Sequence, residues 1–408
     1  MANNKNTKVP NVPNLRFPEF EREWKKCKLG NIANITGGYA FKSDTLNSIG
    51  GKYQVIKMGN LYQNQLDLHR SPSYTNILTS KAENVILRKG DIAITLTGTN
   101  NKRDFGYTYI FNDEKNLLLN QRCGLIRTKG DPYFLSCLLK TYAFLNQFFE
   151  SATGGTGNQA NVSTKAMEMF SVNTPSLKEQ KKIGELMALL DERIVTQNKI
   201  IEDLKKLKSA IIESHYNQTE KQTVFIADLG EPFNVGNLSK DDLSEAGNPC
   251  IIYGELFTTY GETISQIESH TNKKEGMTLS KKGDLLFPTS TTVDAISLIA
   301  PSVINVDGVI LGGDMFGIHI STNFNAQYLS YYFNHIAKRQ LAKFAKGSTI
   351  IHLHYTDIEK ARLLLPSLEE QNKMANCLIS LDEKIRVEKS YLQLLDKQKV
   401  YLLRQMFI

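Results

Sequence analysis

Several features that would mark a membrane protein or a secreted protein are missing from this chain of 408 residues. No run of about 18 apolar residues occurs, so the sequence predicts no membrane-spanning helix. The N-terminus is polar and proline-rich, and it lacks the apolar core of a secretion signal. We therefore expect a cytoplasmic protein that does not contact a membrane.

Cysteine is also scarce, and none of the five cysteines forms a Cys-x-x-Cys pair. They are spread widely over the chain, as Cys27, Cys123, Cys137, Cys250 and Cys377. An odd, scattered set fits neither a disulfide framework nor a zinc site. The pattern indicates reduced thiols.

Catalytic and nucleotide-binding motifs are absent as well. Residues 131–134, Asp-Pro-Tyr-Phe, are similar to the Asp-Pro-Pro-Tyr line of adenine methyltransferases but lack its second proline. Asp and Pro are also ordinary residues at the start of a helix. The glycine-rich stretch 154–160 matches no phosphate-binding loop and predicts a flexible loop. His352 and His354 would share one strand face, but no further ligand stands at metal-binding spacing, which favours a core or surface role. We predict no catalytic residue, metal site or cofactor in this chain.

The composition is that of a soluble globular protein, with 41% hydrophobic and 22% charged residues. The length implies two or three domains. The formal net charge is +7. Segments 177–221 and 367–408 each carry a net charge of only +1, so the positive excess lies in the regions between them. Such an excess permits nucleic-acid binding without establishing it.

One line of sequence occurs twice. Residues 175–194 read PSLKEQKKIGELMALLDERI, and residues 366–385 read PSLEEQNKMANCLISLDEKI. The two lines match at ten of twenty positions without a gap. A single self-match at about half the chain length indicates a tandem duplication. We place the two halves at roughly 1–215 and 216–408.

Each copy of this line predicts a long capped helix. Ser176 with Glu179, and Ser367 with Glu370, form the capping-box pattern. Apolar residues then recur at alternating spacings of three and four, typical of a coiled-coil seam. The seam residues, candidates for helix pairing and partner binding, are Ile183, Met187, Leu190, Ile194, Ile201 and Leu204 in the first copy and Met374, Leu378, Leu381, Ile385, Leu392 and Leu395 in the second.

Polar residues interrupt both seams at matching places, Gln197 with Glu388 and Lys208 with Lys399. Two surface helices on separate cores are one interpretation. The matched lengths and matched breaks favour the other, in which the helices pack on each other. A helix from Leu177 to about Ser214 would be on the order of 55–60 Å long.

The predicted fold is therefore a mixed α/β (α+β) chain. Two tandem globular domains are separated by two long antiparallel helices that form a coiled coil, with internal pseudo-two-fold symmetry. The predicted boundaries are 1–155 for the first domain, 156–215 for the first helix region, 216–347 for the second domain and 348–408 for the second helix region. Residues 134–150 also show helical periodicity.

Two polar loops are candidates for nucleic-acid contact, because Ser, Thr, Asn, Lys and Arg contact phosphates and base edges. They span 95–109 and 287–297, each after a Gly-Asp strand. Ordinary polar hairpin loops are the alternative, but the equivalent places in the two halves favour function. The candidate DNA-binding residues are Lys42, Ser43, Thr97, Thr99, Asn100, Asn101, Lys102, Arg103, Tyr107, Gln121 and Arg122 in the first half and Tyr253, Thr289, Ser290, Thr291 and Thr292 in the second.

The whole arrangement resembles the specificity (S) subunit of type I restriction-modification systems. The resemblance rests on the doubled PSLKEQ and PSLEEQ helices, on the variable block before each helix, and on the opening LRFPEFEREWKKCKLGNI at 15–32. One departure is that the second half has AKGSTIIHLH where the first has the glycine-rich GGTGNQANVS.

This resemblance implies a non-catalytic subunit with two target-recognition domains, each reading one half of a bipartite double-stranded DNA site. It implies that the paired helices bind two modification (M) subunits, which hold S-adenosylmethionine and methylate adenine. In a restriction complex, two restriction (R) subunits add ATP- and Mg-dependent activity. Two other hypotheses are a stand-alone DNA methyltransferase and a coiled-coil adaptor or architectural DNA-binding protein. Binding of S-adenosylmethionine by the isolated chain would favour the first, and binding to DNA without sequence preference would favour the second.

Overall fold

The computed structural model describes residues 11–99, 102–112, 114–154, 159–273 and 275–408. The chain divides into two compact units. The first unit comprises the residues up to Asn198 together with Tyr391–Ile408, and the second unit comprises Lys199–Ser390. Each unit therefore combines one mixed α/β domain with a stretch of both long helices. Among the described residues, no helix is both long enough and apolar enough to cross a membrane.

The first unit is built on a four-stranded antiparallel sheet. Its strands are, in spatial order, Ala33–Gly37, Cys123–Thr128, Ile92–Thr95 and Thr108–Ile110. A three-stranded sheet has the order Leu117–Leu119, Tyr53–Ile56 and Tyr74–Thr75, with its first pair parallel. Short ladders pair Lys25–Lys28 with Ser171–Thr174, Thr97–Thr99 with Gln159–Asn161, and Leu61–Tyr62 with Gln65–Leu66.

Short helices cover these sheets. They are Leu29–Ile32, Ser80–Glu83, Pro132–Leu138, Tyr142–Glu150 and Thr164–Glu168. Asp131 caps Pro132–Leu138 by accepting a hydrogen bond from the Phe134 amide at 2.8 Å. The helical periodicity over 134–150 corresponds to two helices, because Thr141 accepts from the Phe144 amide and caps the second one.

The second unit contains two five-stranded sheets. The first has the order Gly230–Asn234, Met315–Ile320, Asp284–Pro288, Ser302–Ile304 and Thr263–Ile264. The other has the order Leu243–Ser244, Ser269–Thr271, Asn248–Ile252, Ile310–Gly312 and Thr278–Leu279. Two ladders pair Gln222–Phe225 with Arg362–Leu365 and Ser290–Thr291 with Ile351–His352. The helices are Glu255–Thr258, Ala295–Leu298, Ala326–Tyr332, Lys338–Leu341 and Tyr355–Ile358, with one π-helical turn at Phe333–Ala337.

The strand order of the first sheet repeats between the units. Ala33–Gly37 corresponds to Gly230–Asn234, and Ile92–Thr95 corresponds to Asp284–Pro288. The duplication therefore includes the early part of each half, where the two sequences share little. Strand pairing tolerates this divergence because it uses backbone groups and needs only a suitable pattern of side chains.

The two long helices are Leu177–Gln218 and Leu368–Gln405. Ser176 accepts from the Glu179 amide at 3.4 Å, and Ser367 accepts from the Glu370 amide at 3.3 Å. The other half of each predicted capping box is not used. The Glu179 carboxylate instead accepts from Arg16 and from the Trp24 indole, and the Glu370 carboxylate pairs with His215 and Lys373.

Within each unit the two helical stretches run antiparallel. In the second unit, Lys208 pairs with Asp382 at 2.5 Å and His215 pairs with Glu370 at 3.2 Å, so positions rise along one helix as they fall along the other. In the first unit, Asp191 pairs with Lys399. All twelve predicted seam residues are buried or half-buried. The predicted fold class, with tandem mixed α/β domains and long antiparallel helices, is confirmed.

Candidate nucleic-acid interface

The candidate residues of the first unit gather at one end of its four-stranded sheet. Ile92–Thr95 ends there and leads into Thr97–Thr99, while Cys123–Thr128 begins there directly after Arg122. The Leu96 amide donates to the Arg122 carbonyl at 3.0 Å, and the Thr95 amide donates to the Tyr107 carbonyl at 2.9 Å. The Gln121 amide donates to the Tyr39 carbonyl at 3.0 Å, which ties this end to the segment that precedes Lys42 and Ser43. Antiparallel pairing thus brings together residues that are far apart in sequence.

Exposure divides these candidates. Lys42, Ser43, Lys102, Arg103, Gln121 and Arg122 are exposed, and Thr99 and Tyr107 are half-buried. Thr97 is buried, and its hydroxyl contacts the Met58 sulfur at 3.2 Å. Its side chain therefore packs beneath the exposed residues. Asn100 and Asn101 lie outside the described residues.

The second unit repeats this arrangement at the equivalent end of its sheet. Thr289 follows the strand Asp284–Pro288, and its amide donates to the Asp314 carbonyl at 2.8 Å. Ser290 donates its hydroxyl proton to the Asp314 carboxylate at 2.8 Å. Thr289 and Ser290 are buried, whereas Thr291 and Tyr253 are half-buried and Thr292 is exposed. Thr289 and Ser290 are therefore less accessible than Thr291, Thr292 and Tyr253.

A cavity of about 360 Å³ opens beside these residues. Its lining combines aromatic rings with polar groups, among them Phe233, Phe316, Tyr355, Asn234, His354 and Asp314. The rings of His352 and His354 lie nearly parallel, with centroids 6.2 Å apart, and both side chains are exposed. The histidine pair is thus part of the surface, and no group of three or more potential metal ligands occurs among the described residues.

In each half, the segment before the long helix (GGTGNQANVS in the first half and AKGSTIIHLH in the second) adds a short strand to this surface. These two strands were not predicted from the sequence. Gln159–Asn161 pairs with Thr97–Thr99, and Ile351–His352 pairs with Ser290–Thr291. The prediction of a plain flexible loop over 154–160 was therefore wrong for its second part. The glycine-rich segment of the first half and the dissimilar segment of the second half form equivalent strand pairs, because a β-ladder uses backbone groups.

A second missed element is the hairpin of Leu61–Tyr62 and Gln65–Leu66. Gln63 and Asn64 at its tip have φ values of +50° and +62°, as a tight two-residue turn requires. Asn64 accepts from the Thr108 amide at 2.8 Å, which fixes the hairpin beside Tyr107. The Tyr62 and Tyr107 rings lie 5.4 Å apart, and the Arg70 guanidinium lies 5.8 Å from the Tyr62 ring. The polar run Gln63-Asn64-Gln65 between Leu61-Tyr62 and Leu66 was the available sequence signal.

Comparisons with known proteins agree with this geometry. A family model described as the type I restriction modification DNA specificity domain matches twice, over residues 21–206 and 218–397. The putative type I restriction enzyme MjaX specificity subunit of Methanocaldococcus jannaschii is 21% identical over 418 residues, covering 96% of this chain and 94% of that protein. The type I restriction enzyme EcoAI specificity subunit of Escherichia coli is 28% identical over 193 residues, covering 47% of this chain and 31% of that protein.

Two solved structures share the fold. The S subunit of a type I restriction-modification system from M. genitalium superimposes with a TM-score of 0.62 at 15% identity, covering 97% of this chain and 99% of that one. A chain from a structural study of complex assembly and conformational transition in a type I system gives a TM-score of 0.55 at 15% identity, covering 94% and 97%. At such low identity these likenesses concern the fold alone.

Proposed function

This chain belongs to the family of type I restriction-modification specificity subunits, with two DNA specificity domains in tandem, and from this premise we propose the following roles for its two units and its long helices. Each unit reads one half of a bipartite double-stranded DNA target with the loops at the end of its sheet. The observation that carries this proposal is the repeated surface. Two sheets of the same strand order present loops at the same end, yet the side chains on those loops differ.

The long helices are proposed to set the spacing between the half-sites. Leu177–Gln218 has 42 residues, so at about 1.5 Å per residue it extends on the order of 60 Å. At about 3.4 Å per base pair, this length corresponds to roughly 18 base pairs. Two short half-sites and an unread spacer fit within it.

The same helices are proposed to bind two M subunits. Large apolar side chains remain exposed on both of them, including Leu189, Val195, Val387 and Leu394. Apolar side chains of this kind mark a protein interface where they form a continuous patch. In this proposal the chain itself is non-catalytic and acts in the cytoplasm, the M subunits supply S-adenosylmethionine and methylate adenine, and R subunits add ATP- and Mg-dependent activity.

The test is a domain exchange read by methylation mapping. The chain is produced with its M subunits in a host, and methylated adenines are mapped over the genome. Replacing residues 30–150 by the corresponding block of another family member should change one half-site and leave the other unchanged. A change in both half-sites, or methylation without any sequence preference, would contradict the proposal, and the latter result would favour an adaptor.

A second experiment tests the spacing. One heptad is inserted into each helix, after Asn198 and after Ser390, where the chain divides into its units. Seven residues add about 10 Å, or roughly three base pairs. The mapped spacer should lengthen by that amount with both half-sites unchanged, whereas an unchanged spacer would show that the helices do not set it.

A further inference from the structure

Asp314 occupies, in the second unit, the place that Arg122 occupies in the first. Arg122 directly precedes the strand Cys123–Thr128, and Asp314 directly precedes the strand Met315–Ile320. Both strands hold the same position in the strand order of their sheets. The candidate DNA surface therefore carries opposite charges at equivalent positions of the two units.

The Asp314 side chain is held in a defined position. One carboxylate oxygen accepts from the Ser290 hydroxyl at 2.8 Å. Ser290 is itself buried, and its backbone pairs with that of His352. The Asp314 carbonyl accepts from the Thr289 amide at 2.8 Å, and Gly313, with φ of +89°, sets the turn before it. A carboxylate anchored in this way loses little further side-chain freedom when it binds a ligand.

The second carboxylate oxygen is available. Within the described part of the chain, Oδ1 of Asp314 makes no hydrogen bond, and the residue is exposed. It lines the cavity of about 360 Å³ together with Asn234, His354 and Tyr355. This oxygen can therefore accept a hydrogen bond from a group that enters the cavity from outside.

DNA chemistry limits what that group can be. Phosphates are anionic and repel a carboxylate, and the guanine N7 and O6 and thymine O4 atoms are acceptors. The donors on the major-groove edge are the exocyclic amino groups of cytosine N4 and adenine N6. A fixed carboxylate that faces the major groove thus favours an amino group and disfavours guanine and thymine. Arg122, as a donor, has the opposite preference for the guanine acceptors.

We propose that Asp314 is a specificity-determining residue of the second unit, which accepts a hydrogen bond from the exocyclic amino group of a cytosine or an adenine, with Ser290 as its positioning residue. The proposal rests on the DNA-reading function proposed above. It predicts that the second half-site contains one position restricted to cytosine or adenine because of this single side chain.

The test compares Asp314→Ala and Asp314→Asn with the unchanged chain, each produced with its M subunits and read by methylation mapping. Asp314→Ala should lower the discrimination against guanine and thymine at one position of the second half-site by about ten-fold, the lower range for a specific base contact. The first half-site should not change. Asp307→Ala is the matched control, because Asp307 is also exposed, and its carboxylate accepts from the Lys282 amide.

A binding measurement gives an independent readout. Removal of a carboxylate that faces DNA should raise the affinity of the complex for a duplex of random sequence, because phosphate repulsion is lost. Asp314→Ala should show this gain in a fluorescence anisotropy titration, and Asp307→Ala should not. Ser290→Ala should lower the base discrimination without the gain in random-sequence affinity, since it frees the carboxylate but keeps its charge.

The outcomes separate this inference from the function on which it rests. If the unchanged complex has no sequence preference, the proposed function fails. If it has a bipartite target and both Asp314 variants keep the same second half-site, the role of Asp314 is overturned while the proposed function stands. A thermal unfolding curve identifies a variant that fails to fold, and if Asp314→Ala is one, the loss of base discrimination expected for Ser290→Ala decides the question.

Discussion

Lys208 in the second unit and Lys399 in the first unit occupy the same place in the two copies of the helix sequence, and each pairs with an aspartate at the matching place of the other copy. Lys208 contacts Asp382 at 2.5 Å, and Lys399 contacts Asp191. The surroundings of the two pairs differ. The Lys208 side chain is 6% exposed, whereas that of Lys399 is 26% exposed.

The α/β domain of the second unit causes this difference. Its Glu262 contacts Lys208 at 3.0 Å and accepts from His335 at 2.8 Å, and its Tyr331 donates to Asp382 at 2.6 Å. The position that matches Tyr331 in the first unit is Cys137, which cannot extend a comparable hydrogen-bond network. Burial raises the pKa of the Cys137 thiol to about 11, so this residue behaves as a small apolar side chain.

The start of the helices shows the reverse asymmetry. In the first unit, Glu179 is 1% exposed and accepts two hydrogen bonds from Arg16 and one from Trp24. In the second unit, the matching Glu370 side chain is 34% exposed and pairs with His215 and Lys373. One duplicated sequence thus supports two differently buried polar contacts, and the neighbouring domain determines which of them is buried.

The largest expected effect comes from removing the buried lysine. Lys208→Met leaves Asp382 and Glu262 without their shared cation and should lower the free energy of unfolding by about 2–3 kcal/mol. Lys399→Met removes a more exposed pair and should lower it by less than about 1 kcal/mol. Urea unfolding of the two variants measures the difference. Equal losses would show that the surrounding network adds nothing to the duplicated ion pair.

The next effect concerns the glutamates at the helix starts. Glu179→Gln weakens the hydrogen bonds to Arg16 and leaves that guanidinium without its carboxylate, so we expect a loss of about 2 kcal/mol in the free energy of unfolding. Glu370→Gln should change the unfolding curve little, because its partners remain in contact with water. Comparable losses of unfolding free energy in both variants would show that the difference in burial between Glu179 and Glu370 does not affect stability.

The third comparison concerns the dependence of stability on pH in the second unit. Burial raises the pKa of Glu262, but the hydrogen bond from His335 and the charge of Lys208 outweigh burial and lower this pKa to about 2. A carboxyl group whose pKa is depressed in the folded state stabilises the fold above its usual pKa of about 4.5, and this contribution is lost as the pH falls from there toward 2.

Glu262→Gln should therefore reduce the slope of unfolding free energy against pH between about 4.5 and 2. The exposed Glu231 of the same unit is the matched control, and Glu231→Gln should leave most of the slope in place. Thermal unfolding across that pH range measures both slopes. If the two variants keep the same slope as the unchanged chain, Glu262 does not supply the pH dependence.

Much of the helical structure was predictable because its signals are local. Ser176 and Ser367 cap the two long helices as predicted, since a cap depends on residues only three positions apart. The helical periodicity over 134–150 did not show where one helix ends and the next begins, because apolar spacing continues through the cap at Thr141.

The candidate site was predictable only in outline. The loops after the two Gly-Asp strands stand where the sequence indicated, but the burial of Thr97, Thr289 and Ser290 results from pairing with strands far along the chain. Asp314 gave no signal of its own. Its position on the surface follows from the order of the strands in the sheet, and this order cannot be read from the amino-acid sequence.

The duplication, the positions of the two capped helices and the family resemblance could all be recognised from the amino-acid sequence, because repeats, caps and heptads are read along the chain. The folded chain was needed to learn which polar residue of each repeated helix is buried, which loop residues remain exposed, and that Arg122 and Asp314 occupy equivalent places. These depend on contacts between segments separated by tens to hundreds of residues, and such contacts form only when sheets pair and domains pack.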